Sequence, residues 1–200
     1  MITWTLDSLE QVGGLTPRIV GAPGLCASPY GPAMVFNGKT DALFFEVNPL
    51  QNARAFTLEA LFRPDSDGAP EQRFVHVHDF TREARILLET RLAEGRWYAD
   101  TFIKDGSNEQ VLCSPELVHP AGEWQTLALV YDGQTMSQYV NGEEELSGKI
   151  DRQPIVRGRV SIGCRINEIF WFKGAIRSVR FTPSALPRHL LLIPSLRRES

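Results

Sequence analysis

Apolar and polar residues alternate with a period of two over most of the chain. Each alternating run is closed by Gly, Pro, Asn or Asp, the pattern of short β-strands joined by turns. In residues 56–63, Phe56, Leu58, Ala60 and Phe62 share one face, while Thr57, Glu59 and Arg63 share the other, which predicts a strand packed on one side and partly wet on the other. Residues 122–142 read as strand, turn, strand. Leu127, Leu129 and Tyr131 oppose Trp124, Thr126, Ala128 and Val130, so the first arm is apolar on both faces and belongs in mid-sheet, with Trp124 and Trp4 assigned to the core. Asp132-Gly133 supplies one turn and Asn141-Gly142 a second, of the type that tolerates positive φ.

Further strands are predicted at residues 1–6, 33–36, 42–47, 74–78, 96–103, 111–113, 159–164 and 170–182. The last keeps its parity through Phe172, Gly174 and Ile176, then changes it at Val179 and Phe181, which places a β-bulge near Arg177-Ser178. Residues 84–93 are rich in helix formers, yet they meet 96–103 across Glu94-Gly95 as hairpin arms do, and are read as strand. Residues 13–32 are punctuated by Gly and Pro and predict a surface connection, and a short helix is expected around 186–192. The fold class that follows is all-β: an antiparallel two-sheet β-sandwich or jelly roll, with residues 1–200 forming one domain.

Composition narrows the partners. A net charge of −3 gives no basic field for a phosphate backbone, so nucleic acid is not an expected partner. The longest apolar run near either end, 190–193, is far too short for a bilayer, and the opening residues lack the features of a signal peptide. The chain therefore reads as cytoplasmic, or as an exported protein already trimmed. Cys26, Cys113 and Cys164 are too widely spaced for a metal-type pair and are expected to be reduced and buried.

Five segments in order carry a resemblance: Phe36-Asn-Gly-Lys-Thr-Asp-Ala-Leu, Phe56-Thr-Leu-Glu-Ala-Leu-Phe-Arg-Pro-Asp, Trp124 through Asp132, Tyr139-Val-Asn-Gly, and Phe172-Lys-Gly-Ala-Ile. Over about residues 33–187 the chain resembles the laminin-G-like branch of the concanavalin A-like lectin/glucanase superfamily. The resemblance implies two sheets, one of them concave, with sugars, calcium or protein partners held on the concave face or its rim. Glucanase members carry Glu-x-Asp-x-x-Glu on one strand, and no Glu-x-Asp occurs here, so catalytic carboxylates would have to come from separate strands such as those of Glu59, Glu89 and Asp100. Many relatives read Gly-x-Ile-Asp near the last strand. Here Gly174-Ala-Ile is followed by Arg177, which leaves Asp41, Asp65, Asp67 and Asp132 as the oxygen donors for calcium, all four equally explained as turn residues.

Candidate ligand-binding residues follow from chemistry. His76 and His78 alternate on one strand face roughly 6 to 7 Å apart, close enough to share an ion, although no third ligand lies nearby in sequence. Sugar sites combine an aromatic plate with carboxylates, amides and guanidinium groups, and Glu89, Arg91, Asp100, Asn167 and Trp171 supply those types. No Gly-x-Ser-x-Gly, phosphate loop, Gly-x-Gly-x-x-Gly or His-Glu-x-x-His motif occurs. The expected function is a non-catalytic carbohydrate-binding module using His76, His78, Glu89, Arg91, Asp100, Asn167 and Trp171. The alternatives are a glycoside hydrolase or lyase, marked by two carboxylates about 5 to 9 Å apart in an open cleft, and a protein-interaction module marked by an exposed apolar patch.

Overall fold

The computed structural model describes residues 1–194. Sixteen strands form: β1 Ile2–Thr5, β2 Arg18–Val20, β3 Gly24–Cys26, β4 Ala33–Asn37, β5 Ala42–Phe45, β6 Phe56–Pro64, β7 Glu71–Asp79, β8 Ala84–Ala93, β9 Arg96–Asp105, β10 Asn108–Cys113, β11 His119–Pro120, β12 Gln125–Tyr131, β13 Thr135–Val140, β14 Glu143–Lys149, β15 Arg159–Ile162 and β16 Lys173–Thr182. A 3₁₀ turn at Arg188–Leu190 stands where a short helix is expected. The last six residues of the C-terminal tail lie outside the described part.

The strands divide into two antiparallel sheets. The first runs β14-β13-β12-β6-β16-β4-β3, and β1 adds to the edge of β16 beyond β4. The second runs β10-β9-β8-β7-β15-β5-β2, with β11 on β9. Between them lies one continuous core, from Trp4, Phe36 and Phe62 of the first sheet to Phe74, Leu88 and Trp97 of the second. Phe62 stacks on Phe74 at 4.5 Å between ring centroids and meets Trp97 edge-on at 5.2 Å, so aromatic contacts tie the sheets together.

Local rules account for the elements. The segment Ala84–Ala93 is a strand despite its helix formers, because pairing along both edges with β7 and β9 puts Ala84, Ile86, Leu88 and Thr90 into the core. Its hairpin turn needs two left-handed residues, and Glu94 and Gly95 have φ of 52° and 74°. In β16 the register with β6 shifts between Ile176 and Ser178, where the apolar parity changes.

One expectation changes, with a consequence for function. Thr57 and Glu59 on the outer face of β6 are buried, because residues 184–192 cross that face. Leu191 packs on Ala128 and Val130, with Ala185 and Leu186 beside it, which explains why β12 is apolar on both faces. Glu59 receives Arg180 through Nε at 2.5 Å and Nη2 at 2.8 Å and accepts the Leu192 amide at 2.7 Å. The outer face of the first sheet is therefore occupied by the chain itself. Two smaller corrections concern single residues. Trp124 is half-buried against Tyr30 and the Arg63 guanidinium rather than in the core. Of the three free thiols only Cys164 is buried; Cys113, on an edge strand facing outward, is exposed.

Candidate functional site

Across β7–β10 the alternation that sends Ile86, Leu88 and Thr90 inward sends Arg85, Leu87, Glu89 and Arg91 to the outer face. Register aligns them with neighbours: Glu89 stands opposite Arg73 on β7 and Asp100 on β9, and Leu87 stands opposite His76 and Phe102. The result is a depression of about 230 Å³. Arg73, Arg85, Arg91 and Arg165 bring four cations to its lining, and Glu89 and Asp100 two carboxyls.

Arg165 arrives from the turn before β16. That turn folds back over the sheet: the Ser161 hydroxyl donates to Cys164 O at 2.7 Å, and Cys164, Ile166 and Trp171 pack on Ala42 and Phe44. The Ile166 amide donates to His76 Nδ1 at 3.0 Å. Glu168 and Phe170 sit at φ of 61° and 57°, an unfavourable region for residues with a Cβ, costing on the order of 1–3 kcal/mol each. This geometry sets the Phe170 ring 3.7 Å beneath the Arg73 guanidinium.

The charges are unequally satisfied. Arg91 donates from Nε to Asp100 Oδ2 at 2.7 Å, its Nη2 lies 2.7 Å from the same oxygen, and its Nη1 reaches Glu71 at 2.7 Å. Arg73 pairs with Glu71 at 2.5 Å; its Nε lies 3.0 Å from Glu89 Oε2, which accepts no hydrogen bond there. Burial, reinforced by the Asp100 charge, pushes Glu89 up to about 7, outweighing Arg73 and Arg91. Burial raises Asp100 as well, against the pull of Arg91. His76 is held well below its ordinary value by burial and by the positive groups around it, and so is neutral.

Of the residues singled out from sequence, Glu89, Arg91 and Asp100 meet in the depression. His76 is buried beside it, below Arg165, and His78 lies one step along β7, its ring 5.4 Å from that of His76. Asn167 is exposed on the turn and Trp171 packs behind it, outside the lining. Arg73, Arg85, Leu87 and Phe102 were not marked by motif or spacing. The parity of 85, 87, 89 and 91 on one strand was the signal that could have found Arg85 and Leu87.

Asp41 accepts the Ala22 and Asn37 amides, Asp132 those of Gln134 and Thr135, Asp67 pairs with Lys173, and Asp65 with Arg63. Among the described residues no three His, Cys, Asp or Glu side chains converge as a metal site. These scattered, already engaged carboxylates do not fit a calcium cage. Among the described residues no helix is long and apolar enough to cross a membrane.

Two antiparallel sheets packed face to face, one outer face crossed at its middle by the C-terminal segment and the other carrying a polar depression, define a jelly-roll sandwich. The family model for the concanavalin A-like lectin/glucanases superfamily matches residues 37–189, and the chain belongs to that superfamily. No curated protein matches it in sequence. Among solved structures it is similar to domain 4 of AbnA, a GH43 extracellular arabinanase from Geobacillus stearothermophilus, in complex with arabinotriose. That match has a TM-score of 0.72 at 17% identity over 94% of each chain. It also resembles the heptameric SAP-like pentraxin of Limulus polyphemus, with a TM-score of 0.62 at 17% identity over 78% of this chain and 77% of that one. A third relative is the NanB sialidase of Streptococcus pneumoniae, with a TM-score of 0.61 at 16% identity; 82% of this chain matches 28% of that one. At these identities the likeness is one of fold.

Proposed function

We propose that the protein is a carbohydrate-binding module whose site is the depression on the outer face of β7–β10. The observation that carries this reading is the contrast between the two outer faces. Residues 184–192 cross the middle of the first sheet over β6 and β12, whereas the second presents convergent guanidinium and carboxyl groups around Leu87 and Phe102. Polar groups fixed by a network over a small apolar floor match the hydroxyls and ring carbons of a pyranose. Glu89, Arg91 and Asp100 contact the ligand in this reading. His76 and His78 support the wall, and Asn167 and Trp171 flank an extended glycan. A fold relative described in complex with arabinotriose adds support for a sugar as the ligand class. A glycan array followed by calorimetry tests the proposal, and an absence of binding to any glycan at millimolar concentration would sink it.

Glycoside hydrolysis is a second reading, favoured by the Glu89–Asp100 pair. Their register places them directly opposite on one sheet face, so that two carboxyls share the depression as a retaining or inverting pair requires. A carboxyl held at about 7 suits a general acid. The engagement of Asp100 by Arg91 favours binding over a nucleophilic role. Release of reducing ends from an oligosaccharide that stops in Glu89→Gln, with binding retained, would establish the enzyme reading.

A further inference from the structure

We infer that the depression selects sugars carrying a carboxylate, with Arg85, Arg165 and Arg73 receiving the anionic group. The inference deepens the carbohydrate-binding reading and rests on it. Its basis is a local excess of hydrogen-bond donors. Among the described residues, neither Arg85 nor Arg165 has a carboxylate within ion-pair distance, although both line the depression, which also holds Glu89 and Asp100. Arg85 Nε and Arg73 Nη1 are buried with no hydrogen-bond partner. The Arg85 guanidinium lies over the Phe102 ring, 5.3 Å from its centroid.

His76 adds an independent sign. It is fully buried, and its Nδ1 accepts from the Ile166 amide, so the proton of the neutral ring resides on Nε2. That Nε2–H has no acceptor. Among the described residues, Arg85 Nε and Arg73 Nη1 at the lining, and His76 Nε2 buried beside it, thus lack acceptors, and a natural protein leaves few such groups unmatched.

The surroundings are cationic rather than balanced. Arg91 is engaged by Asp100 and Glu71, and Arg73 by Glu71. Arg73, Arg85 and Arg165 line one depression, and burial together with the repulsion of Arg85 and Arg73 holds Arg165 below the usual guanidinium range. A bound anion would relieve that repulsion. Planar guanidinium groups offer paired N–H donors that match a carboxylate in shape. A neutral sugar brings hydroxyls, which cannot neutralise the two unpaired cations.

The test uses the full chain and isothermal titration calorimetry with four probes: trigalacturonate, its methyl ester, N-acetylneuraminyl-lactose and inorganic sulfate. The expected result is binding of at least one carboxylated sugar. Where trigalacturonate is the one bound, the methyl ester should be about 10- to 100-fold weaker, the range for losing a charged hydrogen bond. Arg165→Gln and Arg85→Gln, each with an unfolding transition matched to the parent, should weaken the acidic sugar by a similar factor, and Arg165→Lys should restore part of it. Equal binding of acid and ester would overturn the inference and leave the carbohydrate reading intact. Sulfate binding as tight as that of the sugar acids, or acidic-sugar binding indifferent to both arginine substitutions, would also overturn it. If neither sugar acid binds while neutral glycans do, the inference fails alone; if no glycan binds, the carbohydrate reading falls with it.

Discussion

Replacing Glu89 by Gln isolates the electrostatics of the depression with little change of shape. The Glu89 carboxyl is almost fully buried, faces Asp100, and is held at about 7 against an ordinary value of 4.5. Because the folded value is raised, the folded protein keeps this proton over a pH range in which the unfolded chain has lost it. The stabilisation is complete below about pH 4.5, declines as pH rises, and is gone above about pH 7. The interval between the two values is worth roughly 3 kcal/mol, most of it between pH 5 and 8. His76 acts in the opposite direction, since a buried neutral imidazole loses stability as pH falls below 6.5. The pH curve of the parent protein therefore mixes the two. The difference between parent and Glu89→Gln removes His76, and urea unfolding followed by tryptophan fluorescence, with buried Trp97 as one reporter, measures it. From pH 5 to pH 8 the Gln protein should gain about 2–3 kcal/mol relative to the parent. A difference that is flat, or that moves against the Gln protein, would mean that Arg73 keeps Glu89 ionised and would refute the reasoning.

Three further outcomes follow from the same contacts. Affinity for a carboxylated sugar should fall as pH rises from 6 to 8, because ionised Glu89 adds a negative charge among Arg73 and Glu71 on β7, Arg91 on β8, Asp100 on β9, Cys113 on β10 and Arg165 on the turn; calorimetry should find this slope missing in Glu89→Gln. Glu59→Ala should destabilise by about 3–5 kcal/mol, because Arg180 and the Leu192 amide lose a buried carboxylate, and limited proteolysis should then cut within 184–194 before the core unfolds. Gly174→Ala should cost several kcal/mol in chemical denaturation, roughly 1–3 of them from backbone strain: φ is +146° and a Cβ would meet Arg63 O at 2.2 Å.

The fold was legible because its determinants are local. Alternation fixes which side chains enter the core, and Asn141-Gly142 or Glu94-Gly95 can adopt the left-handed pair that a tight hairpin requires. Even the bulge in β16 shows as a change of parity at Arg177. The site was legible only in part, and the reason is register. Glu89, Arg91 and Asp100 belong to one hairpin, so turn and alternation together bring them to one face. Arg73 reaches the same place through the pairing of β7 with β8, and Arg165 through a turn that folds back over the sheet, across sequence separations that no spacing rule encodes. The burial of Thr57 and Glu59 was hidden for the same reason. Polar residues on one strand face predict water, whereas here a distant tail supplies their hydrogen bonds.

The contrast between Glu59 and Glu89 shows how the fold separates structure from function. Both are buried glutamates in central strands, each pointing away from the core toward an outer sheet face. Glu59 is matched: two guanidinium nitrogens and one amide donate to it, and every one of those donors belongs to the protein. Glu89 is mismatched, with an oxygen that accepts no hydrogen bond, an acidic neighbour, and arginines whose own donors are orphaned. A protein stabilised by burial gains nothing from such a mismatch at the centre of a sheet unless something outside the chain completes it. Removing an unmatched cation from the depression should therefore raise stability and weaken binding together. Arg85→Leu beside Leu87 and Phe102 removes one unpaired cation and one orphaned donor at little cost in volume, and should raise the unfolding free energy by about 1 kcal/mol or more. If that variant is less stable than the parent, Arg85 serves the fold, and the inference that the depression selects a carboxylate loses its main support.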